Sequence, residues 1–202
     1  MAKQPVTRLR EFRRTTMRHV SAETVIDRRS PVERWLLSAA PAPGQTRRDW
    51  ARQGVALLPL GVLFSAVRIP GRLVQAVAGS ASAQGVDDFL DEALDGGPVI
   101  CDPRGPRYYA LVPANVPATW RQAVDDWRRS ADVDCLGRDT YLGVPRIDRT
   151  GFDPHTFAGY WAVAISSPGR LCPPLTVARL IAAGVHLLPD EREEWPACAP
   201  LR

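Results

Sequence analysis

The sequence predicts an α+β domain, a largely antiparallel sheet with helices packed on it. The chain holds more short strand-like runs than a helical bundle would, and turn residues join them more often than helical crossovers do. A third observation concerns charge. Residues 1–34 hold nine Lys/Arg against four Asp/Glu, whereas residues 35–202 hold seventeen against eighteen, so the basic excess lies wholly at the N-terminal end. The 202 residues are 45% hydrophobic and 24% charged, which excludes wholesale disorder and collagen-like repeats. No apolar run approaches the ~18–20 residues of a membrane span, so no membrane partner is expected. A chain of this length buries about 70% of its unfolded surface and needs no disulfide or metal staple.

Three regions are expected: a basic arm over 1–29, one domain over 30–188 and a C-terminal tail over 189–202. Ser30-Pro31-Val32-Glu33 is a capping box with proline at the first helical position. Val32, Trp35, Leu36 and Ala39 follow at helical spacing as one buried stripe, and Pro41-Ala42-Pro43-Gly44 stops the helix. Thr46 opens a second helix through Trp50, ended by Gly54. Val55–Gly61 is a strand whose proline places it at an edge or a strand end. Ala66–Ile69 is a short strand, and Pro70 starts a helix carrying Leu73, Val74 and Val77. After the small-residue break Gly79–Gly85 comes a helix with Val86, Phe89, Leu90 and Leu94, closed by Gly96-Gly97.

Pro98–Asp102 and Arg107–Val112 form a hairpin about Pro103-Arg104-Gly105-Pro106. Pro117 begins a helix with Trp120, Ala123, Val124 and Trp127 on one face. Val133–Leu136 and Thr140–Val144 read as a second strand pair joined across Gly137-Arg138-Asp139. Tyr160–Ser166 is a further strand. Pro173-Pro174 leads into a last helix through Val177, Leu180 and Ile181 that ends at Gly184.

Cys101, Cys135, Cys172 and Cys198 form no C-x-x-C, and His19, His155 and His186 form no H-x₃₋₅-H, so buried thiols are expected rather than a zinc site. The polar, Arg-rich N-terminus lacks the apolar core of a secretory signal, and a cytoplasmic location is expected. Lys3 is the single lysine among 26 basic residues. That skew, with abundant Ala, Pro and Gly, marks a GC-rich genome. In the arm, Arg8, Arg10, Arg13, Arg14 and Arg18 alternate with Leu9, Phe12 and Met17. They read either as phosphate-neutralising contacts to nucleic acid or as a solvated tail.

Three carboxylates are candidates for chemistry. Asp132 and Asp134 would share a face if they lie on one strand, as a divalent-metal site for nucleotidyl transfer requires. The alternative is a solvated turn after the polar helix end Arg128-Arg129-Ser130. Asp102 closes an apolar strand, yet it precedes Pro103, an ordinary turn opening, and the turn reading is favoured. Tyr108 and Tyr109 point to opposite sheet faces, so one is core and one is available as a stacking platform. Five tryptophans (35, 50, 120, 127 and 161) sit on inferred apolar faces. No phosphate-binding loop, dinucleotide fingerprint, nucleophile elbow or HExxH zinc motif occurs.

The order of several stretches carries a resemblance. They are Trp35–Ala40, Arg47–Ala51, Leu57–Gly61, Phe64–Pro70, Gly97-Pro98-Val99 with Tyr109–Pro113, and Leu136-Gly137 with Tyr141–Pro145. From about Trp35 to Gly184 the chain resembles small proteins of high-GC bacteria grouped with the N-terminal domain of bifunctional DNA primase/polymerases. The resemblance implies an RRM-like sheet. In active members it implies nucleotide joining with Mg²⁺ or Mn²⁺ held by acidic residues, and a strand histidine at the nucleotide. This chain departs from that pattern. No apolar strand ends in D-x-D, Tyr141 stands about where the histidine is expected, and Lys3 cannot supply a sheet lysine. The resemblance therefore implies a catalytically degenerate relative that needs no cofactor. The expected function is a non-catalytic, DNA-associated domain. A protein-interaction or regulatory module and a working metal-dependent primase/polymerase are the alternatives.

Overall fold

The computed structural model describes residues 31–188. The arginine arm, Ser30 of the capping box, His19, Trp195, Cys198 and the tail lie outside the described residues. Helix α1 covers residues 31–37, and α2 is Pro43–Gln53. Then follow β1 (Val55–Pro59), β2 (Phe64–Pro70), α3 (Gly71–Ala78), α4 (Ala83–Ala93), β3 (Val99–Asp102) and β4 (Arg107–Pro113). The chain continues through α5 (Val116–Thr119), α6 (Arg121–Ala131), β5 (Asp134–Leu136), β6 (Tyr141–Pro145), β7 (Tyr160–Val163) and α7 (Pro174–Leu187).

Five strands form one sheet in the order β5-β2-β4-β3-β7, and every neighbouring pair is antiparallel. From β2 to β5 the chain runs strand, helices, strand, strand, helices, strand. Its sheet order is that of an RRM-like, split βαβ unit, with β7 added beyond β3. The fold is thus α+β with helices on an antiparallel sheet, as the strand and turn pattern predicts.

Alternation within the strands divides two cores. Val67, Ile69, Cys101, Tyr108, Ala110 and Val112 face α3, α4, α6 and α7, where Leu73, Leu90, Val124 and Ile181 meet them. Phe64, Ala66, Ile100, Leu111 and Trp161 face the other way, beneath α1, α2 and the β1–β6 ribbon, against Leu36, Trp50, Leu58 and Val144. Covered on both faces, β2 reads as the near-continuous apolar run Phe64-Ser65-Ala66-Val67, broken by Arg68.

The largest correction concerns β5 and β6, which do not form a hairpin. β5 pairs with β2 at the sheet edge, while β6 pairs with β1 in a separate two-stranded ribbon. Two indoles hold β6 there: Trp50 Nε1 donates to the Val144 carbonyl at 2.9 Å and Trp161 Nε1 to that of Pro145 at 3.2 Å. Gly61 permits the β1–β2 turn beside this crossing, with φ +80° and the Arg138 backbone where a Cβ would stand.

Smaller differences have local causes. α2 starts at Pro43 rather than Thr46, because proline suits the first helical turn as well as it breaks an interior. Ser82 caps α4 by accepting from the Gly85 amide, so the preceding break is short. The helix begun near Pro117 is interrupted at Trp120, which separates α5 from α6. α7 runs past Gly184 because that position is a contact point: a Cβ there would fall inside the buried Leu73 side chain. Trp35 is half-buried at the rim, 5.8 Å from the Phe64 ring, and Trp120 and Trp127 are also only partly buried. Among the described residues no helix is long and apolar enough to cross a membrane.

One buried carboxyl sits in the helix-side core. Tyr160 OH donates to Asp87 Oδ1 at 3.2 Å, and Cys101 and Tyr108 lie beside them. Burial raises Asp87 from 3.8 to about 7, while the Tyr160 bond works in the opposite direction. A carboxyl raised on folding favours the native state at low pH, and that contribution is lost as pH rises from about 4 through about 7. Asp87→Asn keeps an acceptor for Tyr160 and removes the titration. Its stability relative to wild type should rise between pH 5 and pH 8, by an amount on the order of 3 kcal/mol if the whole shift is realised. Urea unfolding across that range checks it; a flat difference would contradict the assignment.

Candidate functional site

Polar side chains gather at one end of the sheet, on the face turned toward the ribbon. The register places Arg68 of β2 between Tyr109 of β4 and Asp134 of β5, and sets Arg107 of β4 opposite Asp102 of β3. Because these positions share a parity with Ala66, Leu111 and Ile100, their side chains continue the second core outward. The row joins guanidinium and carboxylate groups across four strands.

Asp134 has a side chain 20% exposed, and two arginines hold it. Arg68 Nη2 donates to Oδ2, and Arg128 Nε, from α6, donates to Oδ1 at 2.6 Å. The Asp134 carboxylate in turn holds Arg128 above its ordinary value, by hydrogen bond and by charge. Asp132 ends α6 in the left-handed conformation, φ +53°. It stands 3.8 Å from Arg68 Nη2 through one oxygen and 3.8 Å from Arg107 Nη1 through the other, beyond hydrogen-bond range. Asp102 accepts the Arg104 amide at 3.1 Å, the turn closure that Asp-Pro predicts. Arg68 Nε and Arg107 Nη1 are buried and have no hydrogen-bond partner among the described residues.

The structure therefore brings Asp132 and Asp134 together around one guanidinium. Asp132 lies in a helix cap and Asp134 opens a strand, so they are not an i, i+2 pair on a single strand. Asp102 stays across the sheet, beyond Arg107 and Tyr109. Two-metal nucleotidyl transfer needs carboxylate oxygens free to bridge cations. Here both Asp134 oxygens accept from arginines, and no group of three His, Cys, Asp or Glu among the described residues is placed to hold a metal. The donor set does not fit Mg²⁺ or Mn²⁺.

Tyr108 is the core member of its pair. Tyr109 is half-buried against the second core, and burial raises its phenol above the usual value, with Asp102 adding to the shift and Arg107 and Arg68 opposing it. It is a wall of the arginine row more than an open stacking platform. Tyr141 lies away from these acids, on the ribbon opposite Pro59. Cys101, Cys135 and Cys172 are buried free thiols, raised to about 11 or 12 by burial. Arg68, Arg107 and Arg128 were not legible as site residues from composition. The one available signal was Arg68, a charge inside the apolar run of β2.

Loss of Asp134 should cost far more than loss of an exposed partner. Asp134→Ala leaves Arg68, 26% exposed and already short of one partner, without its closest carboxylate. A destabilisation of about 2–3 kcal/mol is expected in urea unfolding. Asp126→Ala, which removes an exposed pair with Arg129, should cost under about 0.5 kcal/mol. Equal, small effects would show that the Asp134 cluster is solvated. Compared with known proteins, the chain matches no family model, no curated protein and no solved structure.

Proposed function

We propose that this chain is a non-catalytic, primase/polymerase-like domain that associates with DNA through its basic arm. The observation that carries the non-catalytic half is the pairing of Asp134 with Arg68 and Arg128, which engages both carboxylate oxygens that a bridging metal would need. Support for the DNA half is the charge distribution: the whole basic excess precedes the fold, with Arg8, Arg10, Arg13, Arg14 and Arg18 at its centre. Arginines suit contacts to phosphate that carry little sequence information.

A second reading has its own observation. The outer face of the β1–β6 ribbon exposes Leu57 (67%) and Tyr141 (60%), a small apolar surface suited to a protein partner. It would make the chain an interaction module in which the arm has no nucleic-acid role.

Full-length protein in which the five arm arginines are replaced by glutamine separates the two. For the wild type, fluorescence anisotropy with single- and double-stranded DNA should show weak, sequence-independent binding that falls steeply with salt. The variant should lose most of the affinity, and its salt slope should flatten by roughly one per arginine that contacted phosphate. Unchanged binding would overturn the arm's role, and absence of binding in the wild type would favour the ribbon reading. Template-dependent incorporation of labelled nucleotides, lost in Asp134→Ala, would overturn the non-catalytic half.

A further inference from the structure

We propose that Arg68 and Arg107 form an anion cradle within the fold that takes a phosphate group, and that Asp132 is its loosely seated intramolecular occupant. This goes beyond the arm, because it concerns a separate site on the sheet. The argument begins with the geometry of Asp132. Its two oxygens face two different guanidinium groups, each at 3.8 Å, so the carboxylate balances charge without making either hydrogen bond. A carboxylate suited to the place would approach to about 2.7–2.9 Å, as charged N–H···O bonds do. Arg107 Nη1 is left with no hydrogen-bond partner although it is buried, and Arg68 Nε is in the same condition. Unmade bonds to buried donors are costly, and more so for charged groups. An anion that brought oxygens to these nitrogens would recover part of that cost.

Charge and exposure agree with this assignment. Asp134 is committed to Arg68 and Arg128, and Asp102 to the Arg104 amide, so neither is available to leave. Asp132 is 58% exposed at the helix cap, with no hydrogen bond at its carboxylate among the described residues, and so has room to swing into solvent. With Asp132 withdrawn, Arg68, Arg107 and Arg128 outnumber Asp134 and Asp102. A tetrahedral phosphate presents more acceptor oxygens than a carboxylate and matches the guanidinium fork. Arg107 is 35% exposed and Arg68 is 26% exposed, so the site can be reached from solvent. The phosphate belongs either to a free nucleotide or to a nucleic-acid backbone; the cradle's chemistry is common to both.

The full-length protein, titrated with inorganic phosphate at constant ionic strength and followed by arginine side-chain NMR signals, tests the proposal. Saturable shifts at Arg68 and Arg107 are expected, without added divalent cation. Asp132→Asn keeps a residue tolerant of the left-handed cap and removes the competitor, so it should tighten phosphate binding about three- to fivefold. Arg107→Gln should weaken it by about tenfold or more. Arm glutamine variants should leave phosphate binding unchanged, which keeps failure of the cradle distinct from failure of the arm. A deoxynucleoside triphosphate and a short oligothymidylate then distinguish the sources: the ligand whose affinity falls in Arg107→Gln is the one the cradle holds. Unaltered or weakened phosphate binding in Asp132→Asn, absence of saturable binding in wild type, or a requirement for Mg²⁺ would each overturn the proposal.

Discussion

Strands β2 and β4 are buried on both faces, and their charged side chains, Arg68 and Arg107, emerge at one sheet end beside Tyr109. A guanidinium rooted in such a strand cannot stand without counter-charge, because an unpaired buried charge is far more expensive than a paired one. Asp134 supplies that counter-charge from the neighbouring edge strand, and Arg128 completes the group from the preceding helix. The ion cluster thus links the sheet edge to α6. Its placement follows from covering a split βαβ sheet on the side that a bare RRM-like unit leaves open.

That covering layer has its own logic. α1, α2 and β1 precede the sheet strands and β6 lies between β5 and β7 in the chain, yet they meet over Phe64, Leu111 and Trp161. Buried indole N–H groups need acceptors, and Trp50 and Trp161 find theirs on consecutive carbonyls of β6. These bonds draw β6 away from β5 after a four-residue connection. The outer face of the ribbon is left apolar at Leu57 and Tyr141, whereas the sheet end is charged. The two surfaces differ in the partners they suit.

The helices and strands were legible because periodicity, Gly54 and the proline-led starts are local signals. Two kinds of feature were not. The partner of β6 depends on bonds from Trp50 and Trp161, which are distant in sequence and carry no mark of their acceptors. α7 outruns Gly184 because glycine there meets Leu73, a packing reason that sequence cannot separate from a helix stop. At the site, Asp102, Asp132 and Asp134 were visible as candidate acids, and Asp102 behaves as the Asp-Pro turn reading predicts. Their arginine partners were hidden, since Arg107 and Arg128 read as ordinary strand-edge and helix-end charges. Only Arg68, a lone charge in an apolar strand, signalled that carboxylates would be spoken for.

Asp134 and Asp132 are paired with arginines, an arrangement that does not suit a metal. Mn²⁺ titration of the full-length protein, read as paramagnetic broadening of backbone amide signals, tests it most directly. Broadening should be weak and show no preference for residues 102 and 132–134. Saturable broadening centred on Asp102, Asp132 and Asp134, and abolished by Asp134→Ala, would contradict it.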